Sequence, residues 1–202
     1  MSSESAGSTA TTPGAAADPS RRRRSDAQRN VAALVQAAKS VFAAGGVDAP
    51  AKTITDLAGV GVGTLYRHFP RRSDLIIAVL QREIDECLEA VDVLQATLGP
   101  WAAITTWIDR FTDLVGTKRG LAAALHSGDP AYVGLPQQLL DQLEPALEAL
   151  LARAVDEGSA RDDVSARDVL TTVALICHPV PGAQPDFNQR MTEVFLDGLM
   201  TS

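Results

Sequence analysis

The chain has 202 residues, of which 46% are hydrophobic and 21% charged, enough apolar material for one generous core or two modest ones. No stretch approaches the roughly 18 consecutive apolar residues of a membrane span, and residues 2–20 lack the apolar segment of a secretion signal. A cytoplasmic protein with no membrane partner is expected, and the formal charge of −7, taken alone, argues weakly against nucleic acid.

The charge is unevenly placed. Residues 20–72 hold 10 Lys/Arg against 3 Asp/Glu, net +7, whereas residues 73–202 hold 8 against 20, net −12. A basic head on an acidic body suits a protein that grips phosphate with one domain only. The expected division is a disordered tail over 1–19, a basic head over 20–71 and an acidic body over 72–202. The tail is Ser, Ala, Thr, Gly and Pro with almost no large apolar side chains, too little to offset the entropy of ordering it.

Arg21 to Arg24 form a basic run just ahead of the first helix, either solubilising or an arm for phosphates or the minor groove. Helical periodicity begins at Asp26, a plausible cap. Val31, Leu34, Val35, Ala38 and Phe42 make one apolar stripe, and Gly45-Gly46 ends it. Pro50 suits the first turn of the next helix, whose inward face is read as Ile54, Leu57 and Ala58. Gly59 supplies a turn, Val60 plugs the space between helices, and Gly61 begins a short helix ending near Phe69-Pro70.

A long helix over roughly 72–94 points Leu75, Ile76, Val79, Leu80, Ile84, Cys87, Leu88 and Val91 inward, and Gly99-Pro100 breaks it. Ile104, Trp107, Ile108, Phe111 and Leu114 mark the next helix, with a shorter one over about Lys118 to His126 and a loop over SGDPAYVGLP. Leu139 to Val155 is leucine-rich at helical spacing, but Pro145 is expected to kink it or split it. Ser165-Ala-Arg-Asp168 carries a capping-box pattern ahead of Val169, Val173 and Cys177. After a linker of Pro179, Pro181, Gly182 and Pro185, Phe187, Met191, Val194, Phe195 and Leu199 make a final amphipathic helix. No alternating strand pattern appears, so the chain is expected to be all α. Cys87 and Cys177, far apart in sequence, are expected to be buried thiols.

The stretch Ile54 to Phe69, ITDLAGVGVGTLYRHF, carries the chemistry. Two short helices joined by a glycine-bearing turn are what is needed to lay one helix in the DNA major groove. Leu65 and Phe69, at i and i+4, anchor the second helix and leave Thr64, Tyr66, Arg67 and His68 outside. Gly63 removes a side chain where backbone comes closest to DNA. Arg67, Arg71 and Arg72 surround its end.

From about Arg24 to Leu80 the chain resembles the N-terminal domain of TetR-family transcriptional regulators. The resemblance rests on Ala37, Ala38, Val41 and Phe42, the Gly46 terminator, and Ile54…AGVGVGTLYRHFP…Leu75. It implies an N-terminal three-helix, helix-turn-helix DNA-binding domain and a helical-bundle domain for ligand binding and dimerisation. It also implies that Thr64, Tyr66 and His68 face the operator, and that Lys52 and Arg72 touch its backbone. Arg23, Arg24, Gly63 and Arg67 complete the expected DNA set with Val62, which stands where some members carry a polar base-reading residue and is limited to a thymine-methyl contact. The threonine often found at the start of the second helix is replaced around Ala49-Pro50, removing one phosphate contact.

The remainder resembles the family's regulatory domain by layout, with Trp107…Thr117-Lys118-Arg119-Gly120-Leu121 and Gly158 to Val164 similar to actinobacterial-type members. That implies an apolar cavity for an unknown small apolar or amphipathic effector, and a homodimer through the last two helices. Trp101, Trp107, Phe111 and His126 are the aromatic and polar lining candidates, with Leu88, Leu125, Leu143 and Leu147 beside them. Val169, Val173, Ile176, Met191, Val194 and Phe195 are the interface candidates, although the same apolar faces suit packing within the chain. No cofactor, metal or catalytic activity is expected, since no Cys/His/carboxylate cluster, nucleophile arrangement or phosphate loop stands out. The reading is a ligand-responsive repressor released from its operator by the effector; the rival is a helical binding module with a vestigial DNA head.

Overall fold

The computed structural model describes residues 19–178 and 180–201 apart from 117–129, with side chains described from Ser25 onward. Of the expected tail over 1–19, residues 1–18 lie outside the described residues, as do the helix expected over about Lys118 to His126 and Pro179, whereas Pro19 opens the first helix. The described residues form eight α-helices: α1 (Pro19–Gly45), α2 (Ala51–Ala58), α3 (Val62–His68), α4 (Arg72–Thr97), α5 (Pro100–Gly116), α6 (Leu135–Asp156), α7 (Ala166–Ile176) and α8 (Phe187–Asp197). Among the described residues no strand forms, only an isolated antiparallel bridge between Ala160 and Met200. No described helix is long and apolar enough to cross a membrane.

The first helix starts earlier than its apolar stripe. Arg21 to Arg24 lie within α1, and Asp26 sits inside it, paired with Arg29 rather than capping. Leu34, Val35, Ala38 and Phe42 are buried as the stripe requires. Together with Ile54, Leu65 and Phe69 they make the small core of the head, into which α4 presses Leu75, Ile76, Val79 and Leu80.

Farther along, α4 turns Cys87, Ala90 and Leu94 inward against α5 and α6, so one helix carries the floor of the head and a wall of the body. Leu88, expected inside, is 37% exposed, because Ala90 and Leu94 continue the buried line in its place. Pro145 neither ends nor divides α6: it lies on the exposed side of a continuous 22-residue helix, while Leu143, Leu147 and Leu150 pack beneath. Arg167 on α7 reaches Asp141 and Glu144 in the turn preceding that proline, clamping α7 to α6. The capping box forms as read: the Asp168 N–H donates to Ser165 Oγ at 3.1 Å, and the Ser165 N–H donates to Asp168 Oδ2 at 3.2 Å. Cys87 is buried and Cys177 half-buried, both as thiols, and burial pushes the Cys177 thiol up to about 11.

Candidate nucleic-acid interface

Pro50 is the N-cap of α2, one residue earlier than expected, where a missing N–H is harmless. The inner face of this helix is Ile54 and Thr55, 0% and 1% exposed, not Leu57, which is 61% exposed. Threonine can go inside because its Oγ1 donates to the Lys52 carbonyl at 3.0 Å, leaving only its methyl to pack. Ala51, Ile54, Thr55 and Ala58 keep helical spacing; Leu57 falls off that line and faces solvent.

Gly59 ends α2 at φ +67°, a left-handed conformation that L side chains resist. The chain then reverses, the Val60 N–H donating back to the Thr55 carbonyl at 3.1 Å, and α3 starts after Gly61. Leu65 and Phe69 are 3% and 8% exposed, so they fix one side of α3 to the head. The opposite side presents Val62, Gly63, Tyr66 and Arg67 to solvent, with Val62 41% and Tyr66 54% exposed. Among the described residues, nothing beyond its chain neighbours and the backbone of α3 lies within 4 Å of a Cβ built at Gly63, so its bareness serves no packing there.

Thr64 and His68, expected outside, are half-buried. His68 borders an open groove of about 740 Å³ between α1 and α4, beside Val31, Val35 and Ala78. Lys52 is exposed, its Nζ 2.8 Å from Asp56 Oδ2 one turn on, a surface pair that a phosphate can displace at little cost. Arg72 is placed differently from the expected backbone contact. Its Nε donates to the Val47 carbonyl at 2.7 Å, its Nη2 to the Val47 and Ala49 carbonyls, and its Cζ lies 5.0 Å over the Phe42 ring. Burial draws the Arg72 guanidinium below its ordinary pKa. The side chain aimed outward at this edge is Arg71, 73% exposed and paired with Asp74 at 2.9 Å. The RR dipeptide gave no sign of which arginine turns inward. Arg23 and Arg24 fall in the first turns of α1, and their side chains lie outside the described residues.

The expected effector-pocket residues are spread through the body. Trp107, Phe111, Leu143 and Leu147 are each 0% exposed. The Trp107 Nε1–H donates to the Cys87 carbonyl at 2.9 Å and its ring stacks on Phe111 at 6.1 Å, drawing α5 flush against α4. Trp101 is half-buried, Leu88 faces outward, and Leu125 and His126 lie outside the described residues. A cleft of about 620 Å³ opens between α5, Val180–Gln184 and α8, near Asp109, Asp113 and Glu193. Burial, Asp113 and Glu193 raise the pKa of Asp109 there.

The residues of the expected dimer face divide into two sets. Val169 and Val173 are fully buried in their own chain, pointing into the α6–α7 contact. Ile176, Met191 and Phe195 are half-buried and Val194 is 63% exposed, so these four of the expected set stay on the outer side together with Leu175, 65% exposed.

The sequence of residues 34–79 matches the family described as bacterial regulatory proteins, tetR family, and residues 99–201 match the SbtR-like transcriptional regulator C-terminal domain. A TetR transcriptional regulator from Streptomyces coelicolor is 34% identical with a TM-score of 0.68, the match covering 85% of this chain and 99% of that one. A TetR regulatory protein from Mycobacterium vanbaalenii is 30% identical, TM-score 0.67, with 89% and 99% covered. The transcriptional repressor KstR of Mycobacterium tuberculosis is 26% identical over 134 residues, 64% of this chain and 60% of that protein. A transcriptional regulator of Staphylococcus aureus is 30% identical over 100 residues, 46% of this chain. This chain thus spans 52% and 60% of the length of these two curated relatives.

Proposed function

The chain belongs to the TetR family of transcriptional regulators, and from that premise we propose that it represses transcription as a homodimer on a palindromic operator, released by a small effector. The observation that carries the reading is the outward face of α3, where Val62, Gly63, Tyr66 and Arg67 stand exposed on a helix locked from behind by Leu65 and Phe69. An exposed tyrosine and valine have no packing use there, and together with Thr64, His68 and the flanking cations they suit a major groove walled by phosphate. Val62 has no hydrogen-bonding group, so the base feature it can read is a thymine methyl. Tyr66 and His68 take phosphates, and Lys52 exchanges Asp56 for one.

Two heads occupy half-sites roughly 34–36 Å apart or a multiple of that spacing. Dimerisation uses the outward apolar side of α7 and α8, with Leu175, Ile176, Met191, Val194 and Phe195. The effector is small and apolar or amphipathic. Because the interior around Trp107 is filled, it binds a conformer in which α5 and α6 have parted from α4, and its differential affinity for that conformer sets the extent of release. Cytoplasmic location and the absence of enzymatic activity belong to the same reading.

A gel-retardation assay with duplexes flanking the protein's own gene tests it. Retardation that the same unlabelled duplex abolishes, and an unrelated duplex does not, is expected. Equal retardation of every duplex, or none at all, contradicts a sequence-reading regulator.

A further inference from the structure

We infer that Arg72 does not touch DNA but is a positioning residue, hooking the corner between α1 and α2 onto the first turn of α4, and that Arg71 supplies the phosphate contact at this edge of the head. The inference rests on the DNA-binding reading above. Arg72 binds the Val47 and Ala49 carbonyls through one guanidinium and lies over Phe42, itself 1% exposed. Turning outward to a phosphate strips those carbonyls of their donor and uncovers the ring. The guanidinium is suited to the inward position because its planar fork meets two acceptors and stacks on an aromatic face at once. An ammonium supplies the same charge without that geometry.

The corner that Arg72 holds leads straight into α2, and α2 carries α3 through the Gly59 turn. A second tie lies farther up the same helix, where Lys39 of α1 meets Glu83 at 3.1 Å and Glu86 at 2.6 Å. A shift of α4 is therefore handed to the reading helix at the corner, through backbone carbonyls. Arg71 by contrast stands at the N-cap of α4 with its side chain 73% exposed, paired with Asp74, which is half-buried. A phosphate oxygen can take the Arg71 fork from that carboxylate, which keeps the Arg71 N–H at 2.9 Å as its cap.

The test uses the full-length protein and a duplex selected by the wild type from a random library. Affinity is measured over a range of salt for Arg72→Lys, Arg72→Gln, Arg71→Lys and Arg71→Gln, with amide hydrogen exchange of residues 46–49. Both Arg72 variants are expected to bind about tenfold more weakly at every salt with an unchanged salt slope, and to exchange faster at the corner. Arg71→Gln is expected to shallow the slope by about 0.9 for each phosphate left unneutralised, and Arg71→Lys to preserve it. The slope does not depend on the fraction of active protein, so it stays readable if Arg72→Gln folds poorly. Arg72→Lys binding like the wild type, Arg72→Gln shallowing the slope by about 0.9, or unaltered exchange at the corner overturns the inference alone. Recovery of no preferred duplex by the wild type overturns both it and the DNA-binding reading.

Discussion

The head and the body use aromatic side chains in opposite ways. Tyr66 in the head is 54% exposed with its helix pinned from behind, whereas Trp107 and Phe111 in the body are wholly buried and pack on each other. An aromatic residue that packing leaves outside asks for an external partner. One that packing consumes does not, however well its type suits a ligand pocket.

The sharpest way to break this comparison is Trp107→Ala. Truncating a buried tryptophan that also satisfies the Cys87 carbonyl is expected to cost about 3–5 kcal/mol of stability, read by chemical denaturation. A loss under about 1 kcal/mol places the indole in a yielding pocket and undoes the contrast. Tyr66→Ala is the counterpart in the head. It is expected to lower operator affinity by about 10- to 100-fold, in the range of interface hot spots, with the melting temperature and dimer unchanged.

Lys39 sharpens the comparison at the junction of the two regions. Burial alone raises the Glu86 pKa, but the hydrogen bond and charge of Lys39, with Arg82 beyond, outweigh it and leave the carboxyl below its ordinary 4.5. A depressed carboxyl pKa stabilises the fold above the unfolded value and loses that contribution as pH falls through the folded one. Lys39→Met is therefore expected to be less stable than wild type at pH 7, with the gap closing below about pH 4.5. A gap constant from pH 7 to pH 3 in thermal melts contradicts a role for this pair in joining α1 to α4.

The smallest effect has two signs. Gly63→Ala meets no described atom beyond its chain neighbours and the backbone of α3, so it is expected to stabilise α3 by about 0.5–1 kcal/mol while weakening operator binding. Stabilisation with binding undiminished means that the backbone at Gly63 does not approach the groove.

Much of the fold was legible because helical spacing is dictated locally: the α1 stripe, the Ser165–Asp168 cap and the Gly59 turn all stand where residue type requires them. What failed was decided between helices. Thr55 displaces Leu57 from the inner face of α2 because its hydroxyl finds a carbonyl three residues back. Pro145 sits within α6 because its ring falls on the solvent side. Val169 and Val173 are apolar at helical spacing whether they face α6 or a second copy, and only their burial separates the two. In the recognition segment Leu65, Phe69, Tyr66 and Val62 lie as read, since seven residues of helix leave little freedom once two are anchored. The two arginines at the start of α4 are adjacent and alike, and their division of labour depends on the Val47 and Ala49 carbonyls, supplied by a corner 23–25 residues away.

The central claim is that the exposed face of α3 reads a DNA sequence. Selection from a random duplex library by the full-length protein, repeated with Tyr66→Ala, tests it directly. The account predicts that the wild type enriches a palindrome with half-site centres about 10–10.5 base pairs apart, or a multiple, and that Tyr66→Ala enriches none. Enrichment of the same palindrome by both proteins, or of no sequence by the wild type, contradicts it.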